Sequence, residues 1–280
     1  MLLHTNRIES FFASVVIFLG QSEAPLMIAP MLKRISRQQL FAVMTGGFAA
    51  AAGSTLVGYS LLGAPLPYLL AASVMNAPAS LLMAKTISPD REDADEEELD
   101  VREIRDEDSA NIIDAIGRGA LAGGRIAMTV GALLIAFVAL ISMLNAMFHG
   151  VGTWFGYHTL SFQKLLGWIF SPLAWLLGVP WHEANQAATY IGEKTVLNEF
   201  VAYSDFGPHV HQLSPITVVI VTFALAGFAN FTSIAIQIGT IGSLAPERRA
   251  EVAQLGLRAL LAGILANLAN AAIAGMVAPR

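Results

Sequence analysis

The chain has 280 residues, of which 55% are hydrophobic and only 13% charged, and its mean hydropathy is +0.60. Soluble domains carry about 25% charged residues, so this composition excludes a water-soluble globule, a disordered chain and a nucleic-acid binder. The formal charge of −5 misleads, because 12 of the 21 acidic residues crowd between Ser88 and Ser109 beside only Arg91, Arg102 and Arg105. The rest of the chain is net basic, which is the pattern of a membrane protein with one acidic loop. Zero cysteines remove disulfides, thiolate metal sites and cysteine nucleophiles together.

Residues 1–10 include His4, Arg7 and Glu9 and do not read as a secretory signal. The apolar run over 10–19 is too short to cross a bilayer and suits a re-entrant half-helix, which delivers Gly20-Gln21-Ser22-Glu23. Four longer stretches lack Asp, Glu, Lys and Arg: 38–84, 126–163, 206–246 and 259–279. A membrane helix needs roughly 20 apolar residues. The first stretch therefore holds two spans, split near Gly63-Ala64-Pro65-Leu66-Pro67. The second holds one long helix ending near His149-Gly150, the third is a single segment with polar interruptions, and the fourth is one clean span. Between them, 109–121 places Ile112, Ile113, Ile116 and Ala120 on one face and reads as an amphipathic surface helix. The piece over 165–177 fits either a short span or an interfacial helix.

Lys33, Arg34, Arg37, Lys85, Arg118, Arg125, Arg248 and Arg249 all fall on one side when the spans alternate, and the positive-inside rule makes that side cytoplasmic. The organisation also repeats. A short piece ending in a carboxylate motif leads to a span interrupted by small residues over 48–54, then to an uninterrupted one. Later, Asn198-Glu199-Phe200 leads to the interrupted span at 227–233 and a last clean span. An odd number of crossings separates the two units, so they are expected to be inverted repeats, the organisation of secondary transporters. The fold class expected is an all-α integral membrane protein built from inverted repeats of re-entrant hairpin, broken helix and intact helix. Its expected divisions are a first transport repeat (1–87), an acidic loop with an amphipathic helix (88–125), a scaffold helix with an interfacial segment (126–182) and a second transport repeat (183–280).

Polar groups within the apolar segments are the candidates for chemistry. Glu23 precedes Pro25, which breaks the helix and frees carbonyls; it reads either as a loop carboxylate at the membrane surface or as a helix-tip acceptor in a dry cavity. Glu199 and Asn198 lie among Val196, Leu197, Phe200, Val201 and Ala202, so a carboxylate there must face protein or a water-filled cavity rather than lipid. Lys194, five residues earlier, is badly placed for an i,i+4 pair with it. Asn230 and Ser233 share a helix face that Gln237 continues, a pattern equally compatible with helix–helix adhesion. Gly53, Ser54 and Thr55 fit close packing or an unwound substrate contact. Of the six histidines, only His209 and His211 form a local pair, which is weak evidence for metal. No nucleophile elbow, P-loop or dinucleotide fingerprint is present, and no enzyme activity is expected.

These motifs resemble the concentrative nucleoside transporters. Gly20-Gln21-Ser22-Glu23-Ala24-Pro25-Leu26 is similar to the family's first hairpin, and Val43 to Ala49 with Ala52-Gly53-Ser54 to its partly unwound helix. Ala72 to Ala79 resembles the next helix. Gly192-x-Lys194-x-x-x-Asn198-Glu199-Phe200-Val201-Ala202-Tyr203 and Gly227 to Ile234 resemble the second hairpin and the helix opposite. The resemblance implies that Gln21, Ser22, Glu23 and Thr55 hold the nucleobase, and that Glu199, Phe228, Asn230 and Ser233 hold the ribose. It implies a homotrimer in the bacterial inner membrane that carries nucleosides by alternating access. The coupling ion it implies is Na+ or H+, with no other cofactor and no nucleic acid partner. Sodium-coupled members have Asn and hydroxyls where this chain has Val16, Ala50 and Ala51, which leaves only backbone carbonyls such as those of Leu19 and Ala52 as sodium ligands. Relative to the family pattern the chain reads as the C-terminal transport portion, N-terminally truncated. The alternative function is thus a non-transporting membrane remnant or subunit of such a permease.

Overall fold

The computed structural model describes residues 5–90, 110–157 and 160–278, with the backbone alone for part of 119–138. His4, His158 and most of the acidic segment (91–109, with Arg91, Arg102 and Arg105) lie outside the described residues, as does the side chain of Arg125. All regular structure among the described residues is helical. Helix α1 (Arg7–Val15) opens with Asn6, which accepts a hydrogen bond from the Glu9 amide while the Glu9 carboxylate accepts one from the Asn6 amide. A turn over 16–23 leads into a 3-10 helix, Ala24–Met31.

The first apolar stretch folds as α2 (Arg37–Ala49), an extended break over 50–52, α3 (Gly53–Leu61), and then α4 (Leu66–Ile87) after the Gly-Pro turn. The break falls inside the interruption expected at 48–54. Next comes α5 (Ile112–Trp154), 43 residues without interruption. The expected surface helix and the long helix are therefore one rod, roughly 65 Å long at 1.5 Å per residue; the glycines at 117, 119, 123 and 124 do not end it. Helices α6 (Phe162–Leu176) and α7 (Trp181–Val196) meet at 116° across Gly178, whose φ of +104° is the left-handed geometry the corner requires. Helix α8 (Glu199–Phe206) follows after two residues. The third stretch again forms a broken pair, α9 (Pro215–Leu225) and α10 (Phe231–Leu244), before α11 (Arg249–Val277).

Among the described residues three helical segments are long and apolar enough to cross a membrane, Arg37–Leu61, Leu66–Ile87 and Pro246–Val277, and the bent α6/α7 pair makes up to four. The chain is a multi-pass membrane protein, and its side chains are distributed accordingly. On α4, Leu70, Val74 and Leu82 are exposed while Ser73, Asn76 and Ser80 are buried. On α11, Leu257, Leu261 and Leu265 point outward while Ala259, Ala262, Ala266, Asn267 and Asn270 are buried. Large aliphatics facing outward and small or polar residues facing inward is the arrangement for helices whose solvent is hydrocarbon. The last span is therefore not clean, because its two asparagines lie on the buried face.

Helix α11 is the central post, packed against α2, α4, α9 and α10. Close approach to α2 depends on Gly263: a Cβ there would stand 2.6 Å from Phe48 Cβ and 3.2 Å from the Ala49 amide nitrogen. At one end of the bundle Lys33 pairs with Glu247 at 3.5 Å and Arg37 with Glu251 at 3.4 Å, and Arg248 donates to the carbonyls of Leu32 and Ile35. Gly263→Val forces α2 away from α11 and is expected to destabilise the protein by about 1–3 kcal/mol. Leu265→Ala on the exposed face of the same helix should change little. Thermal unfolding in detergent micelles, followed by loss of the monodisperse chromatographic peak, checks the difference.

Candidate functional site

The two breaks cross in the middle of the bundle. Each leaves helix-end carbonyls without intrahelical partners, in surroundings that hold no bulk water. Part of the demand is met between the breaks, since the Phe228 amide donates to the Ala50 carbonyl at 3.0 Å. The hairpin turn meets another part: the Gly53 amide donates to Phe18 O at 3.0 Å, and Ser73 Oγ donates to Ile17 O at 3.0 Å and Ala51 O at 3.2 Å. The rest falls to three asparagines and a lysine. Asn267 Nδ2 donates to Ala49 O at 2.9 Å and Ala226 O at 3.3 Å, and Asn76 Nδ2 also reaches Ala226 O at 2.5 Å. Asn267 and Asn270 both donate to Asn76 Oδ1, at 3.1 and 2.8 Å, and Lys194 Nζ donates to Asn267 Oδ1 at 2.9 Å. Carbonyls can only accept and an ammonium can only donate, so these partners fix which way the Asn267 amide faces.

Beside this knot lie the residues singled out from the sequence. Asn198 caps α8 by accepting from the Val201 amide at 3.0 Å, which places Glu199 in the first turn. Glu199 is 4% exposed. Its carboxylate accepts from Asn230 Nδ2 at 2.9 Å and from the Tyr59 hydroxyl at 3.2 Å. Asn230 caps α10, its Oδ1 accepting from the Ser233 amide at 2.9 Å, and Ser233 Oγ accepts from Gln21 Nε2 at 2.7 Å. A buried polar chain thus runs Tyr59, Glu199, Asn230, Ser233, Gln21, linking α3, α8, α10 and the first hairpin turn. Phe228 is buried in the break next to it.

The remaining expected residues sit differently. Thr55 is buried but turns its hydroxyl to its own helix start, Ala52 O, at 2.8 Å. Glu23 is partly exposed, its carboxylate close over Gly20, and Ser22 is exposed; neither joins the buried chain. Among the described residues no group of three or more His, Asp or Glu is placed to hold a metal ion. His209 Nδ1 is engaged by the Asp205 carbonyl at 2.7 Å. The Ala52 carbonyl, one of two expected to face sodium, already accepts from the Thr55 amide at 2.9 Å, the Leu56 amide at 3.2 Å and the Thr55 hydroxyl.

Sequence reasoning passed over Tyr59, which reads there as an ordinary helix aromatic. It stacks on Tyr203 at 4.5 Å and meets Phe200 edge-on at 4.8 Å, so its hydroxyl is held at Glu199 by packing on α8. Asn267 and Asn270 were also passed over. Two asparagines three apart in an otherwise apolar span were the available signal, since amides at that depth must find partners.

The hub yields a ranking. Asn267→Leu strands Ala49 O and a buried ammonium and leaves Ala226 O with a single donor, each stranded group costing about 1–3 kcal/mol. Asn270→Leu removes one donor to Asn76 and strands nothing charged. Apparent Tm of the purified protein should therefore fall much further for Asn267→Leu than for Asn270→Leu, and equal losses would contradict this assignment.

Comparison with known proteins accords with this architecture. Residues 68–275 match the family described as Na+ dependent nucleoside transporter C-terminus. The chain is 54% identical over 98% of its length to an uncharacterized transporter, YutK, of Bacillus subtilis, covering 68% of that protein. It is 43% identical over 98% of its length to the nucleoside permease NupC of Helicobacter pylori, covering 66% of it. It also superposes on a solved structure of CNTnw in an inward-facing substrate-bound state with a TM-score of 0.90 and 50% identity, over 97% of this chain and 65% of that one. The chain spans about two thirds of the length of these relatives. On this evidence the chain belongs to the concentrative nucleoside transporter family and corresponds to its C-terminal portion.

Proposed function

We propose that this chain is the substrate-handling portion of a cation-coupled nucleoside permease, working by alternating access as a homotrimer in a bacterial inner membrane. The observation that carries the proposal is the buried chain from Tyr59 through Glu199, Asn230 and Ser233 to Gln21. A carboxylate, an amide and a hydroxyl set side by side can exchange their mutual hydrogen bonds for those of a sugar's vicinal hydroxyls. A site of that kind rejects analogues lacking a hydroxyl, because one of its own buried groups is then left unpaired. Glu199, Asn230, Ser233 and the adjacent Phe228 ring would hold the ribose. Gln21, with Ser22, Glu23 and Thr55 around it, would hold the nucleobase.

The succession of hairpin, broken helix and intact helix, present once before α5 and again from α7 onward, supports an inverted-repeat reading in which the two breaks face each other across the substrate. The cluster of Lys33, Arg37 and Arg248 at one end supports a cytoplasmic placement of that end. The coupling ion is Na+ or H+. Val16, Ala50 and Ala51 place hydrocarbon where side-chain oxygens would strengthen a sodium site, and the carbonyl of Ala52 is already engaged. Coupling to protons therefore competes with sodium in this chain.

Uptake of radiolabelled uridine and adenosine in cells lacking nucleoside permeases tests the reading, with and without Na+ and at acidic and neutral pH. Saturable, cation-dependent uptake is expected. Verified membrane insertion without any uptake would sink it in favour of a non-transporting remnant or subunit. In the same assay Glu199→Gln keeps shape but loses charge-assisted bonds, and uptake efficiency should fall about 10- to 100-fold with insertion unchanged. Wild-type uptake by Glu199→Gln would remove Glu199 from the ribose site.

A further inference from the structure

One group on the site face of α10 is left over. Gln237 is 1% exposed and lies one turn beyond Ser233, so Asn230, Ser233 and Gln237 form a polar line spanning roughly 10 Å along the helix. That is about the length of a nucleoside. Gln237 Nε2 donates to the Met44 carbonyl of α2 at 3.0 Å. A carbonyl accepts only, so the amide cannot be turned round without losing this bond, and its oxygen must face the other way. That oxygen has no hydrogen-bond partner, and neither has the Oε1 of Gln21. The two glutamines meet over Gly47, where a Cβ would stand 2.7 Å from Gln237 Nε2 and 3.5 Å from Gln21 Cβ.

A buried acceptor without a donor costs stability, and natural structures rarely keep such groups without a use for them. Ser233, the last residue of the buried polar chain on α10, is bonded to Gln21. Two unpaired amide oxygens at the base end of a nucleoside site match a group with two N–H bonds on one nitrogen, the exocyclic amine of adenine or cytosine. We propose that Gln237 is a substrate-contacting residue whose Oε1, together with that of Gln21, accepts the exocyclic amine of the nucleobase and makes the site favour amino-bearing nucleosides. The inference rests on the ribose and base placement proposed above. It adds a specificity determinant outside the residues that resemblance assigns.

Equilibrium binding to membranes containing the chain tests it without requiring a complete transport cycle. Adenosine is compared with nebularine, the purine riboside that lacks the 6-amino group, for the wild type, Gln237→Leu and Gln237→Met. Adenosine should bind the wild type more tightly than nebularine. Both variants should weaken adenosine about five- to tenfold while nebularine stays within about twofold, the factor expected for one neutral hydrogen bond. Equal weakening of the two ligands in both variants, including loss of all binding, would mean that Gln237 only ties α10 to α2, and the proposal falls. So does an unchanged preference accompanied by altered Na+ or pH dependence, which would give the oxygen to the coupling ion. The ribose reading fails separately: Glu199→Gln would then bind adenosine as the wild type does, whatever Gln237 does.

Discussion

Everything in this structure is arranged around two interruptions of the backbone inside an apolar bundle. In hydrocarbon a broken helix is tolerated only if its freed carbonyls and amides find partners in protein. Here they find each other, through Phe228 and Ala50, and they find Asn76 and Asn267, with Asn270 bonded to Asn76 and Lys194 held on the far side of Asn267. The four side chains come from α4, α11 and α7, so three helices share the task of satisfying the crossing. No single pair would suffice, because a carbonyl left unpaired at this depth costs as much as a typical hydrogen bond contributes or more.

The hub also decides where the functional groups stand. An extended break ends where a new helix begins, and the first residues of that helix carry fixed directions. Asn230 is the cap of α10, and Thr55 lies at the start of α3 with Tyr59 one turn later. Glu199 lies in the first turn of α8, after the separate bend at 197–198. Asn230 and Glu199 thus sit at helix starts, where the local backbone amides favour an amide oxygen or a carboxylate. Asn76 and Asn267 tether the helix ends that precede the two breaks, at Ala226 and Ala49, without using any of the polar chain's own hydrogen-bonding capacity.

Much of this was legible in the chain itself. The breaks follow from small residues at 48–54 and 227–233, and the multi-pass character follows from the charge-free stretches. The burial of Glu199 follows from a carboxylate among aliphatics. What could not be read was pairing. Tyr59 is 140 residues from Glu199, and Asn76 is 191 from Asn267, so nothing local marks either contact. Periodicity registers hydrophobic faces, and a lone amide or phenol on an inward face barely disturbs it. The facing of Ser22 and Ser54 was also not legible: both are exposed, because a shift of one or two residues in the hairpin turn or in the first turn of α3 decides which side a hydroxyl faces.

The hub and the site differ in one respect that bears on transport. In the hub, both faces of the Asn267 amide and of the Asn76 amide are engaged by protein. In the site, the groups are bonded to one another in a single chain, and the amide oxygens of Gln21 and Gln237 remain open. A ligand therefore gains nothing by intruding on the hub, where it could only replace bonds already made. On the proposed function it would gain in the polar chain, where the oxygens of Gln21 and Gln237 are acceptors that protein does not fill and where a hydroxyl inserted between Glu199 and Asn230 would exchange one bond for two. The crossing is thus saturated by protein, while the unfilled acceptors are confined to the neighbouring polar chain, where the proposed substrate would bind.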